Sequence, residues 1–117
     1  MAVMELAESE KPGAASKLAR APTLVAVTAL QSGDPAQDRE DTFATAVAAY
    51  IVLLGAHARG LAGYWRTPAV LRTPEGRAAV GIGDRERAIG LIHLGRPRQD
   101  KPPPDRLATD DYVSYLD

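Results

Sequence analysis

The chain has no cysteine, one tryptophan, one phenylalanine and two histidines among its 117 residues. Without cysteine there is no disulfide framework and no thiolate metal site, and a reducing cytoplasm is the expected compartment. Charge of one sign is also lacking: 14 basic residues stand against 15 acidic ones. A formal net charge of -1 gives no general attraction to nucleic acid or to an anionic membrane. The opening residues Met1 to Glu10 are acidic and carry no continuous apolar run, so they do not read as a secretory signal. Two histidines without acidic neighbours at ligand spacing give no metal site, and His57 and His93 read as structural. No serine sits in a nucleophile elbow. Gly81 and Gly83 are followed by Glu86 instead of a third glycine, and no strand precedes them, which excludes a dinucleotide-binding loop. The arginines are spread among acids and prolines without interleaved aromatics, unlike a nucleic-acid surface.

What remains is an ordinary globular composition, 45% apolar and 25% charged, over a length that suits one domain. Residues 1 to 19 suggest weak helix, broken at Lys11, Pro12 and Gly13. Thr23 to Leu30 is short, β-branched and apolar on both alternating faces, which predicts a strand covered on both sides. Asp34 and Pro35 then form an N-cap and first helical position, with Gln37 completing a capping-box pattern. Asp38, Glu40 and Asp41 put negative charge where the helix dipole favours it.

From Thr42 to Ala58 no charged residue occurs, and the apolar side chains run round the whole helix. The stretch is short and alanine-rich for a membrane span, contains His57, and lacks a basic flank, so a buried helix is expected. Cover on every side exceeds what this chain supplies. The simplest source is the same helix, around residues 36 to 60, in a second subunit.

Leu61 to Arg66 predicts a short strand. Thr67-Pro68 and Thr73-Pro74 each have the form of an N-cap followed by proline, predicting two short helices, the second ending near Gly81. Arg87 to Gly95 predicts the last strand. The prolines after Arg96 predict an extended tail, residues 96 to 117, whose Tyr112, Val113, Tyr115 and Leu116 suggest docking on another surface. Trp65 and Arg66 admit two readings: a core aromatic beside a solvated cation, or a fixed cation and backbone donors at the edge of a cofactor.

The segment from Ala44 to Thr67, with its His57-Ala58-Arg59-Gly60-Leu61 turn and its Trp65-Arg66-Thr67 strand end, resembles a stretch shared by small bacterial FMN-dependent NAD(P)H nitroreductases. In them a long helix closes in an Ala-His-Ala-x-Gly-Leu-Gly-like sequence and leads to Trp-Arg-Ser/Thr. Arg20-Ala21-Pro22 resembles the opening of their preceding strand, and Gly95-Arg96-Pro97 the end of their last core strand. The resemblance covers the C-terminal two-thirds of such a protein and implies an α+β fold: a mixed sheet flanked by helices, with a long central helix at a homodimer interface and a tail reaching the partner subunit. It implies FMN as cofactor and NAD(P)H as co-substrate, with ping-pong hydride transfer to a nitroaromatic, quinone or similar small acceptor. By position, Trp65, Arg66 and Thr67 would contact FMN. Gly55, Ala56, His57, Ala58, Arg59 and Gly60 would lie beside the nicotinamide nucleotide. Arg96, Arg98 or Lys101 would approach the FMN phosphate.

Members of that family begin with a helix carrying Arg-Arg-Ser and a later Gln-Pro-Trp segment that grip the flavin. Neither motif occurs here, so the N-terminal part is expected to be missing. The alternatives are a dimerising module without catalysis, or an accessory subunit completing a flavin site with another chain.

Overall fold

The computed structural model describes residues 19–117, and the weak helix expected before them lies outside the described residues. The described chain is α+β, with three strands and a long helix crossing between the first two. Strand β1, Thr23–Leu30, leads into helix α1, Pro35–His57; strand β2, Ala62–Arg66, follows. A 3-10 turn, Ala69–Arg72, and helix α2, Pro74–Ala79, precede strand β3, Glu86–Gly95. The sheet order is β1-β3-β2, with both ladders antiparallel, so the last strand occupies the centre.

The start of α1 departs from the expected capping box. Asp34 Oδ1 accepts from the Ala36 N–H at 2.9 Å, as an N-cap should. Gln37, however, donates forward to Asp41 instead of reaching back. The Ser32 hydroxyl accepts from the Asp34 N–H at 3.1 Å instead, and Ser32 is itself held by the Asp38 carboxylate, which accepts from its N–H at 2.6 Å and its hydroxyl at 2.8 Å. These bonds favour the charged form and hold the Asp38 carboxyl below its ordinary pKa. At the other end Gly60, with φ +73, reverses the chain. Its N–H donates to His57 C=O at 2.9 Å, and the Leu61 N–H to Ala56 C=O at 3.0 Å, the paired bonds of a Schellman motif.

Helix α1 turns its small residues to the sheet: Ala49 and Ala56 are buried and Leu53 is half-buried. Close packing there is tight, since a Cβ added to Gly63 of β2 would lie 2.6 Å from Leu53 Cδ2. The large apolar side chains point away. Phe43, Val47, Tyr50 and Leu54 are 59, 60, 56 and 50% exposed. Their 4-3-4 spacing is the seam pattern of paired helices. The apolar circumference read from the sequence thus resolves into one stripe packed on the sheet and one bare stripe.

Strand β1 departs from its expectation of cover on both faces. Among the described residues it is an edge strand, in which Ala29 is buried while Leu24 and Leu30 are exposed. The principal core lies at the other face of β3, where Leu91 packs with Val70, Leu71 and Ile82. Thr67-Pro68 opens only a 3-10 turn, without a side-chain cap. Thr73-Pro74 does open a helix: Thr73 Oγ1 accepts from the Gly76 N–H at 3.0 Å and donates to Val70 C=O at 3.0 Å. The 96–117 tail is exposed throughout and forms one short 3-10 turn, Thr109–Asp111. No helix among the described residues is long and apolar enough to cross a membrane.

Candidate functional site

Antiparallel pairing of β2 with β3 sets Ala62 opposite Gly95, Tyr64 opposite His93 and Arg66 opposite Leu91. Side chains alternate across a strand, so Ala62, Tyr64 and Arg66 share one face, while Gly63 and Trp65 share the face toward α1. The Tyr64 and His93 rings meet at 6.2 Å between centroids, tilted by 53°. Neighbouring β1 sets Leu24 opposite His93 on the other side.

Along this edge runs a cavity of about 690 Å³. Its walls include Tyr64, Arg66 and His93 from the sheet, His57 from the end of α1, Arg20 from the turn before β1, and Arg96, Arg98 and Lys101 from the tail. Among the described residues no aspartate or glutamate lines it. Such a volume is that of a small-molecule site, typically about 300–1,000 Å³. A wall so rich in cations gives a potential that favours negative charge.

His93 is the unusual member. Its residue is 5% exposed, and among the described residues its Nε2 has no hydrogen-bond partner. An orphaned buried ring nitrogen costs about 1–3 kcal/mol relative to a satisfied one. Burial, reinforced by the Arg66 and Arg20 guanidiniums, pushes the His93 pKa below its ordinary value and so favours the neutral ring.

The cavity brings together Arg66, His57, Arg96, Arg98 and Lys101 of the residues singled out in the sequence. Trp65 is directed elsewhere: its Nε1–H donates to Ile89 C=O at 3.4 Å, and its ring lies against Gly90. Thr67 is exposed and outside the cavity wall, as are Ala58, Arg59 and Gly60. Arg59 folds back on its own helix, donating to Gly55 C=O at 3.0 Å. Ala56 is buried against the sheet. Arg20, Tyr64 and His93 are the additions. Tyr64 and Arg66 were detectable as an alternating pair on β2; His93 joins them only through the strand register. Among the described residues no group of three His, Asp or Glu side chains gathers at metal-binding distance.

The fold is that of nitroreductase-like proteins. A nitroreductase-like family protein from Bacillus cereus superposes with a TM-score of 0.79 at 19% identity, over 97% of this chain and 66% of that one. Oxidized iodotyrosine deiodinase, solved with FMN and 3-iodo-L-tyrosine, superposes with a TM-score of 0.64 at 25% identity, over 95% of this chain and 57% of that one. The chain therefore spans less than two thirds of the length of either neighbour. No protein-family model and no curated protein matches the sequence.

Proposed function

We propose that the chain is a flavin-binding oxidoreductase subunit of the nitroreductase type, which uses FMN to pass hydride from NAD(P)H to a nitroaromatic, quinone or similar acceptor. The observation that carries this reading is the cation-lined cavity along β2 in a fold shared with an FMN-bound deiodinase. The residues present fit the cofactor: the wall offers two rings, an unpaired buried imidazole and several cations, which together suit a planar body with an anionic end.

When bound, FMN supplies two-electron transfer between the nicotinamide and the acceptor. The chain's own residues bind and orient. Arg66 sets a fixed cation at one end of the cavity, where it favours negative charge on a bound ring. Arg96 and Arg98 stand at the opposite end of β2, because Gly95 pairs with Ala62, and there they offer forked donors to a phosphate. Trp65 holds the strand end in place by its bond to β3.

The bare stripe Phe43-Val47-Tyr50-Leu54 supports a homodimer through α1, which would cover the apolar side chains that the sheet leaves exposed. The exposed apolar residues of the tail, Leu107, Tyr112, Tyr115 and Leu116, fit docking on the same partner.

The test is a titration of the purified chain with FMN, followed by NAD(P)H oxidation in the presence of a nitroaromatic. Saturable flavin binding with acceptor-dependent turnover supports the reading. Flavin binding without turnover would favour an accessory subunit, and no binding a structural module.

A further inference from the structure

We infer that Tyr64, and not Trp65, is the aromatic side chain on which a planar ligand ring lies in this cavity. The two neighbours point to opposite faces of β2, and their surroundings differ accordingly. Trp65 is taken up by the fold: its Nε1–H donates to Ile89 C=O, its ring lies against Gly90, and it is not part of the cavity wall. Tyr64 lines the cavity and is 63% exposed. Its ring is backed by that of buried His93, at 6.2 Å between centroids, within the range of interacting aromatic pairs.

A backed ring with most of its surface open is a stacking platform. Tyrosine has only two side-chain torsions to fix, so it offers a large contact area at a small entropic cost. Arg66 follows on the same face of β2, about 7 Å further along the strand, and so sets a cation at the edge of a ring seated on Tyr64. That arrangement favours a planar aromatic body carrying negative charge over a neutral one. The resemblance assigns the flavin contact to Trp65, Arg66 and Thr67; alternation along β2 moves its aromatic part to Tyr64. The identity of the planar ligand as FMN rests on the flavin reading above.

The experiment uses the full chain with two probes, FMN and para-nitrobenzoate, a planar aromatic anion. The Tyr64 ring resonances are followed by NMR in each titration, and retention of FMN is measured separately by ultrafiltration. A ring stacked on Tyr64 is expected to shift those resonances saturably through its ring current, while the Tyr50 signals, outside the cavity wall, stay in place. Bound FMN should also lose most of its fluorescence, because a phenol or indole in contact with the excited ring quenches it and a phenyl group does not. Tyr64→Phe keeps the platform, so FMN should bind within about twofold of wild type with its fluorescence restored. Tyr64→Leu removes the ring and should weaken binding about threefold to tenfold. Trp65→Phe should leave the quenching in place; should that variant fail to fold, the wild-type shifts and Tyr64→Phe decide the matter. Quenching lost in Trp65→Phe and kept in Tyr64→Phe overturns the assignment. FMN retained without a shift at Tyr64 also overturns it and leaves the flavin reading standing. A shift with para-nitrobenzoate but no retained FMN supports the platform and defeats the flavin reading. Tyr64 signals unmoved by either probe, with no FMN retained, overturn both.

Discussion

Gly90 joins the strand register to the position of Trp65, and replacing it by alanine tests both. The β1–β3 ladder slips between Val27 and Thr28, which pair with Gly90 and Ala88, leaving Ile89 as the extra residue of a bulge. Gly90 has φ +153, and a Cβ there would press on the Trp65 indole and lie 2.7 Å from Arg66 C=O. The backbone strain costs about 1–3 kcal/mol. Moving the indole adds about 1–3 kcal/mol of overpacking. Gly90→Ala is therefore expected to destabilise by about 2–4 kcal/mol, the lower part of the summed range, because the bulge can relax. In a domain of this size each kcal/mol lowers Tm by about 3–6 °C, so a fall of about 10 °C is expected. Gly81→Ala is the control: φ is +74 but nothing lies within 4 Å of its added Cβ, so strain alone, about 1–2 kcal/mol, applies. The assay is thermal unfolding followed by circular dichroism and by Trp65 emission, the chain having one tryptophan. Equal Tm values for the two variants, with unchanged Trp65 emission in Gly90→Ala, would mean that the Gly90 contact with Trp65 carries no such energy.

Three other outcomes follow from the same contacts. Thr73→Ala removes the cap on α2 and should cost about 1 kcal/mol in denaturant unfolding, with little change in m. Val47→Glu with Leu54→Glu should give a monomer by light scattering while α1 stays folded, since both positions are exposed in the single chain; an unchanged dimer would remove α1 from the interface. Acidification should lower stability in two steps. The native His93 binds a proton less readily than the unfolded chain, whose value is near 6.5, so stability falls as pH drops below that and on through the lower native pKa. Asp38 and Glu86 are lowered by hydrogen bonds from Ser32 and from Gly83 and Thr28. Their contributions are present above the unfolded values of 3.8 and 4.5 and are lost as pH falls through the native ones. Chemical denaturation in phosphate-free buffer at stepped pH measures both. His93→Gln should flatten only the first step.

Signals that act within a few residues were legible in the sequence. Asp34 with Pro35, Gly60 with its basic neighbour, and Thr73 with Pro74 each marked an end that the structure keeps, because caps are satisfied locally. The three strands were found within a residue or two for the same reason. Competition between equally local partners was less legible: the Ser32 hydroxyl accepts the Asp34 N–H that Gln37 would have taken, and the Asp38 carboxylate, a charged acceptor, fixes Ser32 in that place. Thr67-Pro68 had the form of a helix start, but only four residues separate Pro68 from Thr73, which leaves room for a 3-10 turn. The site depended on what sequence shows least. Tyr64 meets His93 through register, and Arg20 reaches the cavity from the far side of the chain. His93, read as a structural residue of an apolar strand, is buried as expected yet faces cations instead of a hydrogen-bond partner.

The flavin nucleotide proposed along β2 is the point on which the other proposed roles rest. Equilibrium ultrafiltration of the purified chain with FMN at tens of micromolar, read by flavin absorbance and Trp65 emission, tests it most directly. Flavin is expected to be retained saturably with the protein, stoichiometric with the chain, and Trp65 emission to be quenched. Flavin passing wholly into the filtrate, with Trp65 emission unchanged, would contradict it.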